Sequence, residues 1–233
     1  MSQRMIEITS PVFVPETELR KHADPRQLFG DDRPLALEIG CGIGDFIVQL
    51  AEEQPGTNFL AIDIYNKGCH KTCRRIDSAG LKNVRVLRLE ARYLLSRYLC
   101  RESLAAVYIN CPDPWPKKRH RSRRLVNREF LQLLLHYLRP DGNLYFSTDF
   151  DDYAHEVAAL LPTLEGFDNC LDEPFSHRLP GYPRSKYMRR FLDRGQPIHF
   201  IHYRKSGDFP AEAAPLPSID RGFRVHWSRA QNG

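Results

Sequence analysis

The sequence predicts an α/β fold: a mostly parallel sheet covered by helices on both faces, with an antiparallel edge. Two observations carry this reading. From Leu35 onward, short apolar runs alternate five times with longer amphipathic ones, the order that parallel strands joined by crossover helices require. The chain of 233 residues, 42% apolar and 27% charged, has the size and composition of one well-buried domain rather than a disordered chain.

The elements follow in order. LALEI at 35–39 is a strand leading into the helical pattern DFIVQLAEE, and NFLAID leads into NKGCHKTCRRI. VRVLRLE precedes ARYLLSRYL, and LAAVYIN precedes a basic loop and NREFLQLLLHYL. NLYFSTD precedes the run DYAHEVAALL, whose helix starts at Asp151. Arg139-Pro140-Asp141-Gly142 is read as a turn, because proline and glycine punctuate the chain there. The last third is less regular. CLDEPF at 170–175 is read as a strand, SHRLPGYPRSKYMRRFLDRG as a loop with a short helix, and PIHFIHYRK as a final strand with alternating apolar residues. Residues 1–30 form an N-terminal extension, 31–206 the domain, and 207–233, with its AEAAPLPS stretch, a C-terminal tail.

Composition excludes several classes. No apolar run approaches the roughly 18 residues of a membrane span, and MSQRMIEITS lacks the apolar core of a secretion signal, so the expected location is the cytoplasm. The six cysteines have neither paired CxxC spacing nor the density of a disulfide scaffold, and read as reduced thiols. Cys69 and Cys73 in CHKTC read as one face of a helix, since no second ligand pair with zinc spacing follows. The net charge of +5 is modest, but its distribution is uneven, with a dense cationic run beginning at Lys117.

Ligands of such sheets lie outside the carboxyl ends of the strands, and the notable polar residues fall there. LEIGCGIGDF places Gly40, Gly42 and Gly44 between a strand and a helix, where glycine allows a tight turn and close approach of a cofactor. A dinucleotide loop would put its third glycine at position 45. Asp45 stands there instead, which favours S-adenosylmethionine over NAD. Asp63, ending AIDIY's strand, sits where a carboxylate accepts ribose hydroxyls. Glu38 reads as a receptor for a ligand's ammonium group or as a loop anchor. Glu90 accepts from an adenine amino group or faces solvent.

The stretch NCPDPWPKKRHRSRRL, residues 110–125, places Asp113 after the fourth strand between Pro112 and Pro114, whose rings fix the local backbone. Trp115 stacks on a base or covers the core. The cations Lys117, Lys118, Arg119, His120, Arg121, Arg123 and Arg124 read as a phosphate-binding track on a crevice that holds a cofactor.

EIGCGIGDF, PDPWPKKRHRSRRL and STDFDDY together resemble the bacterial tRNA (guanine-N7-)-methyltransferase family over roughly Leu35 to Lys205, and the DPWPKKRH segment is highly specific to it. The resemblance implies a class I S-adenosylmethionine-dependent methyltransferase fold, Rossmann-like, and transfer of a methyl group to N7 of guanine 46 in the tRNA variable loop. It implies that Glu38, Asp63 and Glu90 bind the cofactor with Gly40, Gly42 and Gly44, and that Asp113 is the catalytic carboxylate. Asp149, in STDFDDY, matches an acid of the substrate face, with a helix N-cap as its other reading. Ser185 joins Lys117, Lys118 and Arg119 on the substrate side. Members of the family act without an accessory subunit, so a monomer or homodimer acting on tRNA is expected.

One departure stands out. Where the family reads Thr, Lys, aromatic, Glu, this chain reads Ser185, Lys186, Tyr187, Met188. Either a neighbouring carboxylate such as Asp193 replaces the missing acid, or the protein binds tRNA with weakened or altered catalysis.

Overall fold

The computed structural model describes residues 6–210. The elements are α1 (Glu16–Leu19), β1 (Leu35–Ile39), α2 (Asp45–Glu53), β2 (Asn58–Ile62), α3 (Asn66–Ala79), β3 (Val84–Leu87) and α4 (Ala91–Tyr98). They continue with β4 (Leu104–Asn110), a 3-10 turn at Lys118–Arg123, α5 (Arg128–Tyr137), β5 (Leu138–Thr148) and α6 (Asp151–Leu160). The chain closes with β6 (Phe167–Asn169), α7 (Lys186–Leu192) and β7 (His199–Lys205).

The seven strands form one sheet in the order β3-β2-β1-β4-β5-β7-β6. The first five in that order pair parallel, while β7 runs antiparallel to both β5 and β6. Strand order therefore reverses at β1, which has β2 on one side and β4 on the other. That reversal opens a crevice at the carboxyl ends of these strands.

Every residue of β1 and β2 is buried, as a central strand covered on both faces must be. Alternation along β1 sends Leu35, Leu37 and Ile39 into a cluster with residues of α4, α5 and α6, and Ala36 into a cluster with α2 and α3. Glu38 shares the face of Ala36, so a carboxyl group is carried into the α2/α3 side of the core. The segment before β1 also packs on the sheet: Val14 N–H donates to the Val86 carbonyl at 2.9 Å, Val86 N–H donates to that of Val12 at 2.8 Å, and Val12, Val14 and Leu19 are buried.

Two expectations change. The strand assigned to CLDEPF lies earlier, at Phe167–Asn169, where β7 pairs in register, Phe167 facing Lys205 and Asn169 facing Tyr203; beyond it this edge of β7 keeps a single bridge among the described residues, Ser176 to Phe200. The Arg139–Gly142 turn interrupts β5 from within. Leu104 faces Leu138 and Ala106 faces Asn143, so these four residues loop out between two paired positions. The AEAAPLPS stretch lies outside the described residues.

Packing of α3 against the glycine loop is tight. A Cβ on Gly68 would lie 2.6 Å from the Gly42 carbonyl oxygen, and one on Gly44, at φ +81°, would meet Thr72 Cα at 2.8 Å. Thr72 Oγ1 donates to that Gly42 carbonyl at 3.2 Å. Overpacking of this kind costs about 1–3 kcal/mol. Gly68→Ala is therefore expected to displace the loop and weaken S-adenosylhomocysteine binding about tenfold, about 1.4 kcal/mol. Isothermal titration calorimetry together with a thermal melt separates that loss from general unfolding.

Candidate active site

A cavity of about 430 Å³ opens at the carboxyl end of β1, between the glycine loop, the end of β4 and the first turn of α7. Of the sequence-predicted residues, Glu38, Gly40, Gly42 and Ser185 line it. Asn110, Cys111, Lys186, Tyr187 and Arg190 join them.

Asp63 holds the loop. Its Oδ2 accepts from Gly42 N–H and its Oδ1 from Tyr65 N–H, both at 2.8 Å. Burial pushes the Asp63 carboxyl upward, these backbone donors oppose the shift, and the nearby Asp113 charge adds to it. Two of its roughly four lone-pair positions remain for a ligand.

Glu38 is 1% exposed. Burial pushes its carboxyl up to about 8, tempered by the Asn110 carboxamide and reinforced by Asp63. Asn110 Oδ1 accepts from Ser147 Oγ at 2.9 Å and Tyr182 Oη at 2.8 Å. Glu38 Oε2 and Asn110 Nδ2 are buried and make no hydrogen bond of ordinary geometry among the described residues.

The Asp113 loop is braced at several points. Cys111 and Trp115, at φ 44° and 45°, sit in the left-handed region that non-glycine residues seldom adopt, on either side of Pro112-Asp113-Pro114. Cys111 N–H donates to the Ser147 carbonyl at 2.8 Å, and the Pro114 carbonyl accepts from Arg124 Nε at 2.8 Å. Asp113 itself is exposed, outside the cavity lining, and its charge is felt at both Asp63 and Tyr187. Trp115 neither lies free for a base nor caps the core: the Arg123 guanidinium lies 5.0 Å from its ring and His120 meets it edge-on.

The basic run is corrected. Arg124 is fully buried and binds Asp152 Oδ2 at 2.7 Å and Glu156 on α6, and it lies over the Tyr153 ring at 4.7 Å. Arg121 pairs with Asp152 at 2.5 Å. These arginines tie the loop to α6 because α6 presents two acids one turn apart; Arg124, fully buried, is not available to phosphate. Lys117, Lys118 and Arg119 remain exposed.

Asp149 is no helix cap. The N-cap of α6 is Phe150, whose N–H is taken by Thr148 Oγ1 at 3.1 Å. Asp149 Oδ2 instead accepts from Tyr187 Oη at 3.3 Å. Glu90 caps α4, accepting from Tyr93 N–H at 2.9 Å, with its other oxygen 3.9 Å from Arg92. Ser185 caps α7 through Met188 N–H at 3.1 Å. Met188 is fully buried against Ile198 and Phe200, away from the cavity lining, while Asp193 is exposed at the far end of α7.

A family model described as "Putative methyltransferase" matches residues 32–201. The chain is 60% identical over 233 residues to a tRNA (guanine-N(7)-)-methyltransferase of Syntrophotalea carbinolica, covering 100% of both chains. It is 55% identical over 207 residues to one from Geobacter metallireducens, covering 88% of this chain and 98% of that one. The chain belongs to the tRNA (guanine-N7-)-methyltransferase family. Its fold is that of class I methyltransferases: the 16S rRNA methyltransferase KamB superposes with a TM-score of 0.59 at 16% identity, covering 88% of this chain and 97% of that one.

Family membership makes S-adenosylmethionine the methyl donor, and the cavity fits it. The unpartnered Glu38 Oε2 and Asn110 Nδ2 suit an ammonium and a carboxylate, the glycine loop leaves backbone room, and Asp63 keeps acceptor capacity. Asn110, Tyr187 and Arg190 went unassigned in the sequence. Asn110 could have been found as the last residue of the fourth strand, whereas Arg190 depends on where α7 docks.

The Glu38 geometry has a pH signature. A carboxyl whose folded pKa lies near 8, above its ordinary 4.5, favours the folded state at pH below 4.5 and loses that contribution as pH rises through 8. Glu38→Gln should therefore raise the melting temperature of the ligand-free protein at pH 8 relative to wild type, by about 2–4 °C per kcal/mol relieved, while weakening cofactor binding. Differential scanning calorimetry across pH checks the first part and titration the second. Arg124→Ala should cost about 3 kcal/mol in denaturant unfolding by stripping the partner from a buried network. Arg121→Ala, at an exposed pair, should cost under about 1 kcal/mol.

Proposed function

We propose that this protein transfers a methyl group from S-adenosylmethionine to N7 of guanine 46 in the tRNA variable loop. The observation that carries the reading is a braced, exposed carboxylate, Asp113, on the loop after β4, whose end lines a cavity with the buried Glu38, in a chain of this family.

Bound S-adenosylmethionine supplies a sulfonium methyl group, an electrophile that needs no further activation. N7 of guanine carries its lone pair on the major-groove edge, so no proton must leave before attack. The N7–CH3 bond forms as the S–CH3 bond breaks with its electron pair on sulfur, and the purine becomes cationic. The protein's contribution is position and charge. Asp113 accepts from the donors of the guanine Watson–Crick edge and opposes the developing positive charge. Asp149, which accepts from Tyr187 Oη, is assigned to the same substrate face. Glu38 would receive the cofactor's ammonium and Asp63 its ribose hydroxyls, and Glu90, already the cap of α4 with its other oxygen 3.9 Å from Arg92, would serve the adenine. Ser185 orders the start of α7, and Lys117, Lys118 and Arg119 contact tRNA phosphates. The active enzyme is favoured over a binding protein because Met188 packs in an apolar cluster outside the cavity lining.

No helix among the described residues is long and apolar enough to cross a membrane. The reading places the protein with its tRNA substrate in the cytoplasm, acting without an accessory subunit as a monomer or homodimer.

The test incubates the protein with labelled S-adenosylmethionine and two tRNA transcripts, one with guanine and one with adenine at position 46, followed by nucleoside analysis. Label is expected only in the first, as 7-methylguanosine. Label in neither, with tRNA still bound, would sink the catalytic reading. Asp113→Ala should lower turnover about 100- to 1,000-fold with cofactor affinity nearly unchanged. Equal loss of both would mean that Asp113 belongs to the cofactor site.

A further inference from the structure

The cationic loop is thinner than its sequence suggests, since Arg121 and Arg124 are tied to α6 and Arg123 lies over Trp115. A second cationic surface adjoins the cofactor cavity. It is a groove of about 720 Å³ between α2, α3 and the start of α7, lined by Gln49, Lys71, Arg74, Arg75, Ser78 and Lys186 among others. The groove and the cavity share Ile43, Asp45 and Lys186 in their walls, so they adjoin.

The acid that lines the groove, Asp45, is neutralised twice, by Arg75 and by Arg189 Nη2 at 2.7 Å. Lys71, Arg74 and Lys186 are exposed and make no ion pair among the described residues. Tyr187, 48% exposed and next to Lys186, lines the neighbouring cavity. A groove in which these three cations lack ion-pair partners, adjoining the cofactor cavity of a tRNA methyltransferase, suits a sugar–phosphate backbone.

We infer that the α2/α3/α7 groove is a second tRNA-binding surface, in which Lys71, Arg74 and Lys186 contact sugar–phosphate backbone in addition to Lys117, Lys118 and Arg119. This rests on the tRNA methyltransferase reading above and extends it: the substrate is held by two cationic surfaces. The Asp45–Arg189 pair links α7 to the start of α2 and so fixes the two walls of the groove relative to the glycine loop.

The test compares Lys71→Glu/Arg74→Glu, two exposed positions outside the cofactor cavity, with Lys117→Ala/Lys118→Ala/Arg119→Ala and wild type. An unmodified tRNA transcript is titrated by filter binding between 50 and 200 mM salt. The groove variant is expected to bind tRNA at least tenfold more weakly. Its log Kd against log salt slope should be smaller by about 1.4 to 1.8, the loss of two phosphate contacts. Its melting temperature and S-adenosylhomocysteine affinity should match wild type, and Lys71→Ala/Arg74→Ala should show the same effect in smaller degree. Wild-type affinity and slope in both groove variants, with the loop variant weakened, would overturn the second surface and leave the tRNA reading standing. Wild-type behaviour in groove and loop variants alike would remove both.

Discussion

The site depends on one half-buried carboxylate that accepts hydrogen bonds from two strand-end loops. Asp63 takes the Gly42 N–H with one oxygen and the Tyr65 N–H with the other, so the glycine loop after β1 and the entry to α3 after β2 are fixed to a common point. Its desolvation is offset by donors on main chain that cannot move away. Remove that anchor and the Gly42 carbonyl, wedged beneath Gly68 and Thr72, loses its counterweight on the opposite side of the same residue. The shape of the cofactor cavity follows from this clamp more than from any side chain that lines it.

The Asp113 loop follows the same logic by different means. A segment with two prolines and two non-glycine residues at positive φ has few conformations to lose, yet the left-handed residues cost energy that must be held elsewhere. Arg124 holds it, fully buried with its guanidinium divided among the Pro114 carbonyl, Asp152 and Glu156. An arginine suits this place because its planar fork reaches three acceptors at once, which a lysine ammonium on a flexible stem would not do in fixed geometry. Strain in the loop and the ion network on α6 are thus two halves of one device.

Much of this was legible in the chain. β1 and β2 declare themselves through apolar runs because both faces are covered, and the carboxyl-end rule then locates Glu38, Gly42, Asp63 and Asp113 near one crevice. The division of labour in the basic run was not legible. Lys117 and Arg124 look alike in sequence, and only the docking of α6, with Asp152 and Glu156 one turn apart, decides that one is solvated and the other is interior. The strand at Phe167–Asn169 was obscured for a related reason: three residues at a sheet edge carry too little pattern to stand out, and the partner β7 defines them.

Met188 shows how a departure from a family pattern can be a packing event. Its side chain, with Ile198 and Phe200, forms a small apolar cluster under α7, bordered by Tyr182, Leu179 and Cys111. An acid at this position would have to be desolvated among those neighbours, at a cost that a methionine avoids. The same cluster seats Tyr182, whose hydroxyl orients Asn110 at the cavity, and it supports the turn of α7 that carries Lys186, Tyr187 and Arg190 into the cavity wall. The methionine therefore acts through the elements it packs, by making the base of α7 rigid where an acid would have made it polar. The polar groups near α7 that remain at the surface are Tyr187, bonded to Asp149, and the exposed Asp113 on the loop after β4.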